Sequence, residues 1–127
     1  MNLLLVALGG AIGSVLRYLA AKGVQDATGA LFPWGTMFVN VVGCFVIGVL
    51  WGLDERSFLS SRGKDFLWIG VLGGFTTFSS FGFETGKLLA DGQWLFAAGN
   101  VLLSNVIGIV MVFAGVVTVR AMLGWLR

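Results

Sequence analysis

The stretch GGFTTFSSFGFETG, residues 73–86, lies inside one of the most hydrophobic parts of the chain. It carries two adjacent glycines, hydroxyls at 76, 77, 79 and 80, phenylalanines at 75, 78 and 81, and a glutamate at 84. A helix that only faced lipid would have no use for this mixture. Gly73 and Gly74 are poor helix formers. Thr76, Thr77, Ser79 and Ser80 can bond backbone carbonyls in competition with the helix ladder. The segment therefore predicts a broken helix. Broken backbone at membrane depth is tolerated only where it is buried in protein or lines water. Such breaks offer carbonyls to a cation and half-helix N-termini to an anion. The three evenly spaced phenylalanines, Phe75, Phe78 and Phe81, add rings whose edges are positive and whose faces are negative. Edges would suit an anion; plain aromatic packing is the alternative.

The rest of the chain supplies the membrane. Its 127 residues are 57% hydrophobic and 11% charged, with a mean hydropathy of +0.95. Soluble domains average about 25% charged residues. At about 20 apolar residues per span, there is room for about four spans and no separate extramembrane domain. The expected organisation is thus one all-α, four-span transmembrane domain over residues 1–127. There is no histidine, and Cys44 is the single cysteine. That inventory removes the usual zinc and transition-metal sites. It also removes the commonest general base and nucleophile–base pairs, so an enzyme is not expected. The N-terminus, MNLLLVALGGAIG, lacks a basic n-region and its apolar run continues to Ala21. A first span is expected there rather than a cleaved signal.

The expected spans are residues 3–21, 36–53, 66–90 and 94–123, the third of them broken. Residues 22–35 are read as a connection, 54–65 as a polar loop and 91–93 as a short turn. Trp51, Trp68, Trp94 and Trp125 fall near span ends, where an aromatic belt forms. Arg56, Arg62, Lys64, Arg120 and Arg127 lie on the side of the termini; Lys22 and Lys87 lie opposite, with Arg17 if it reaches that face. Five against two or three is a small bias for the positive-inside rule. It fits ordinary termini-inside topology or a chain inserted both ways. Gly9 with Gly13, Gly48 with Gly52, and Gly70 with Gly74 are small residues four apart, the spacing that lets membrane helices pack closely.

Several polar residues lie within the spans. Arg17 either snorkels to the interface or draws anions into a vestibule. Asn40 is either glue between helices or a donor facing a polar pathway. Asn100, Ser104 and Gly108 share one face of the fourth span, with Asn105 beside it, and carry the same two readings. Glu84 either pairs with Lys87, three residues on, or lines a pathway.

With these residues assembled, the chain resembles the CrcB/Fluc family of fluoride channels over essentially its whole length. GSVLR at 13–17, GTMFVNVVGCFVIG at 35–48, GGFTTFSSF at 73–81 and NVIG at 105–108 carry the likeness. The third-span motif is the specific one. The resemblance implies a dual-topology antiparallel homodimer with two pores in a prokaryotic plasma (inner) membrane. It implies a fluoride path along Phe78, Phe81 and Asn40, with Ser79, Ser80 and Glu84 towards its lower part and Arg17 in the vestibule. It implies a structural Na⁺ at the dimer centre, bound by the backbone carbonyls of Gly73 and Thr76. Fluoride, the lipid bilayer and a second copy are the expected partners, and nucleic acid is not. Ser80 stands where the family motif has threonine. Ile109 and Phe113 stand where relatives carry hydroxyls, and Ser104 or Asn100 would have to serve instead. The alternatives are a small four-helix cation or drug transporter, which needs a central carboxylate, and a membrane subunit that transports nothing.

Overall fold

The computed structural model describes residues 2–124 and is all-helical among them. Trp125 and Arg127, counted above at a span end and in the charge balance, lie outside the described residues. Four helical spans are long and apolar enough to cross a membrane. They are α1 (Leu3–Thr28), α2 (Trp34–Asp54), the interrupted third span Ser61–Ala90, and the last helix Trp94–Met122. The third span has two halves. The first, α3 (61–75), consists of an opening turn, a π-helical segment Lys64–Leu72 and a last α turn Gly73–Phe75. The second is α4 (Phe78–Ala90), so that Trp94–Met122 becomes α5.

The first connection is shorter than expected. α1 continues to Thr28, seven residues past the predicted end at Ala21. Its last turns are polar rather than unwound. Lys22 and Asp26 pair one turn apart, and Gln25 bonds the carbonyls of Ala30 and Phe32 and the N–H of Gly35. A 26-residue helix is about 39 Å long at 1.5 Å per residue, so its end stands outside a hydrocarbon core about 30 Å thick. Gly29, with φ 57°, ends it in the left-handed conformation that glycine adopts without penalty. At the other side the third span begins at Ser61, five residues before the predicted start. Trp68 is therefore two turns inside the span rather than at its end.

The small-residue pairs lie at the close approaches. Gly9 faces the backbone of Phe66 and Gly70, Gly13 faces Val71, and Gly74 faces Gly10, so α1 and α3 meet backbone to backbone. Gly48 abuts the Val112 carbonyl and Gly115 abuts that of Phe45, which joins α2 to α5 in the same manner. α2 touches every other span and is the most enclosed. Buried Met37, Val39 and Leu50 lie on it. α4 is little enclosed, with Leu88 its single buried residue. Ion pairs Lys64–Asp54 and Arg120–Glu55 tie the ends of α2, α3 and α5 together.

The α2–α5 contact sets a first prediction. A side chain at Gly48 would fall on the Val112 backbone, so Gly48→Val should lower stability by on the order of 1–3 kcal/mol through overpacking. Gly23 has open space around it, and Gly23→Ala should leave stability unchanged or slightly raised. Thermal unfolding in detergent distinguishes the two.

Candidate functional site

The third span breaks within the expected segment, at Thr76 and Thr77; the two glycines also expected to break it stay helical. Gly73 is helical, with φ −61° and ψ −35°. Thr76 (φ −84°, ψ 157°) and Thr77 (φ −151°, ψ 117°) are extended. Gly74 serves the packing on Gly10 instead. The reason lies in where the backbone groups find partners. The Thr77 N–H, which a continuous helix would direct at the Gly73 carbonyl, donates to Asn40 Oδ1 at 2.7 Å. Asn40 Nδ2 donates in return to the Thr77 carbonyl at 2.9 Å. One side-chain amide thus satisfies both backbone groups of one residue.

The hydroxyls complete the break. Thr77 Oγ1 accepts from the Ser80 N–H at 3.2 Å and so caps α4. The same N–H would otherwise serve the Thr76 carbonyl. Thr76 Oγ1 donates to the Leu72 carbonyl at 2.9 Å, closing the end of α3. The carbonyls of Gly73 and Thr76 are consequently two whose usual helical donors have gone elsewhere.

The break opens on a groove of about 420 Å³ whose lining includes Asn40, Gly73, Thr76, Phe78, Phe81 and Ser104. Asn40 has two N–H donors and uses one on Thr77, which leaves one N–H. The Phe78 and Phe81 rings lie 5.4 Å apart, tilted by 40°. Phe78 is 82% exposed. Trp68, Cys44, Thr77 and Asn105 complete the polar and aromatic part of the wall.

Five of the predicted residues therefore converge: Asn40, Phe78, Phe81, Gly73 and Thr76. Ser79 and Ser80 do not line the groove; both hydroxyls lie within hydrogen-bond distance of Thr77 Oγ1, at the start of α4. Arg17 lies on α1, outside the groove lining. Glu84 stands apart, in a second cavity of about 240 Å³ that also contains Gln25, Lys87 and Asp91. Its bonded partner is Thr36, which donates to Oε1 at 2.7 Å, and not Lys87. Its other oxygen is buried without a hydrogen-bond partner among the described residues. Thr36 is in the first turn of α2, so Glu84 is near one end of the bundle rather than at its middle.

The fourth-span residues divide between the two readings. Asn100, 1% exposed, donates to Thr85 and joins α5 to α4. Ser104 donates to Asn100 Oδ1 at 3.2 Å while lining the groove. Ile109 and Phe113 are exposed on α5 and do not line the groove. Sequence reasoning missed the central place of Thr77 and the part of Gly43, which packs on Thr76. Thr77 had a legible signal: a threonine three residues before Ser80 is placed to cap a new helix.

The chain as a whole is similar to known proteins. Residues 4–116 match the family model described as CrcB-like protein, Camphor Resistance (CrcB). A protein of Shewanella oneidensis named fluoride-specific ion channel FluC is 46% identical over 114 residues, covering 90% of this chain and 92% of the relative. A protein of the same name from Shewanella baltica is 47% identical over the same extent.

The cap carries a prediction of its own. Thr77→Val keeps the shape and removes the oxygen that receives the Ser80 N–H, and should cost about 1 kcal/mol. Thr77→Ser should cost much less. Both are read by thermal unfolding of the purified protein.

Proposed function

The chain belongs to the CrcB family, and from that premise we propose that it is a fluoride-specific channel that lets the ion leave the cell passively. It is not an enzyme. The observation that carries the reading is the groove on which a helix break, two phenylalanines and a part-satisfied asparagine converge. Fluoride is small and tightly hydrated, so a conducting pore must replace its water with donors that still let it go. The remaining Asn40 N–H and the edges of Phe78 and Phe81 are such donors. Chloride, being larger, would gain less from the same narrow ring of donors.

The proposed assembly is an antiparallel homodimer in the plasma (inner) membrane of a prokaryote. Its support is physical. A groove of about 420 Å³ has room for on the order of ten waters at about 30 Å³ each, far more than a bare anion needs. A second surface must narrow it, and the exposed Phe78 is placed to be covered. The weak charge bias is what dual insertion requires. Within that dimer, the carbonyls of Gly73 and Thr76 from both copies would hold one structural Na⁺. The chemistry fits, since hard cations take oxygen ligands and these carbonyls have lost their helical donors. Ser79, Ser80 and Glu84 would lie on the lower pathway, and Arg17 near the vestibule. The cation-transporter alternative lacks its central carboxylate, because Glu84 is level with the first turn of α2.

Fluoride efflux from liposomes, followed with a fluoride electrode, tests the channel. The wild type should release fluoride and retain chloride. Phe78→Ile and Asn40→Asp should each lower the flux by about tenfold or more, the scale of one lost partner in a desolvated site. Equal chloride flux, or unchanged flux in both variants, refutes the reading. Replacing all sodium by N-methylglucamine should lower the dimer's thermal stability, and adding sodium back should restore it. An unchanged unfolding temperature would remove the cation from the proposal.

A further inference from the structure

Asn40 and Gly43 are three residues apart on α2, on one face, and both meet the break. Asn40 exchanges two hydrogen bonds with the Thr77 backbone. Gly43 is buried against the residue before it: a methyl group at Gly43 would collide with the Thr76 Cγ2 atom. From these contacts we infer that α2 carries a two-point seat for the break, with Asn40 as its positioning residue and Gly43 as its clearance. The two points do different things. The amide fixes the direction of the Thr77 peptide groups, and the glycine lets Thr76 come close enough for that amide to reach. Thr77 stands between the Thr76 carbonyl and the Phe78 ring. The seat therefore sets both the height of the freed carbonyls and the position of the ring at the groove.

A groove-lining asparagine with no positional duty would turn its polar atoms to the groove. Here the oxygen and one N–H are committed to the backbone of Thr77, a residue only 7% exposed. The flux arm of the following test rests on the channel reading above; the exchange arm does not.

Hydrogen exchange at the Thr77 amide, measured on the purified protein in nanodiscs, reads the first point. Asn40→Ala should speed that exchange by about tenfold or more, since the N–H loses its acceptor, while amides at the α2–α5 contact keep their protection. An unchanged Thr77 exchange rate overturns the proposal. Liposome flux reads the second point. Gly43→Ala should lower fluoride flux by about tenfold, as overpacking displaces the break. Gly43→Ala with Thr76→Ser should regain most of it, because serine lacks the Cγ2 methyl and keeps the hydroxyl bonded to Leu72. Wild-type flux in Gly43→Ala, or no recovery in the folded double variant, refutes the seat. If Gly43→Ala does not fold, the double variant should fold, and its failure to do so refutes the seat equally. If the wild-type protein carries no fluoride, the channel reading fails, and the Thr77 exchange rate still decides on the seat.

Discussion

A backbone that leaves the helix inside a membrane has no water to turn to. Each peptide group left without a partner there costs several kcal/mol. The exchange of two hydrogen bonds between Asn40 and Thr77 answers that demand at the place where this bundle is interrupted. Much of the architecture follows from it. α2 must run past the break, and like the broken span itself it touches every other span. It must approach closely, so it carries Gly43 where a side chain would collide with Thr76. Thr36, one turn before Asn40, then holds the far half of the broken span through Glu84. One face of α2 thus meets α4 and the break at three successive levels.

Much of this was legible in the sequence. Four spans follow from hydropathy because lipid imposes length and composition on every crossing segment. The glycine pairs marked the backbone contacts correctly, since only small residues permit that approach. The break was also legible, and it falls at Thr76 and Thr77, inside the segment expected; which of its residues leave the helix was only partly legible. Glycine propensity drew attention to 73 and 74, yet propensity is a weak prior. Both stay helical, and Gly74 is held there by its packing on α1. The residues that do leave the helix have their partner 37 positions away in the chain. No local pattern reports such a bond. The same holds for Glu84, whose neighbour on the helix suggested Lys87 and whose partner is Thr36. The polar groove residues stood out because a polar group in an apolar run needs a reason; their mutual distances needed the fold.

The division of labour around the groove is economical in residues. Asn40 serves the backbone with its oxygen and one N–H and retains one donor. Thr77 turns its hydroxyl to the start of α4 and its peptide groups to α2. Ser104 faces the groove and leans on Asn100, which in turn holds α4 through Thr85. Ile109 and Phe113 carry no hydroxyl and do not line the groove, where Ser104 is the hydroxyl that α5 supplies. On the proposed channel reading, anion contacts are concentrated at the break rather than spread along the last helix.

The Asn40–Thr77 exchange also shows where the instruction for the interruption lies. The third span, Ser61–Ala90, supplies its own threonine hydroxyls to close the two half-helix ends, but both peptide groups of Thr77 are taken up by one side chain of α2. The interruption is therefore written into one helix partly by its neighbour.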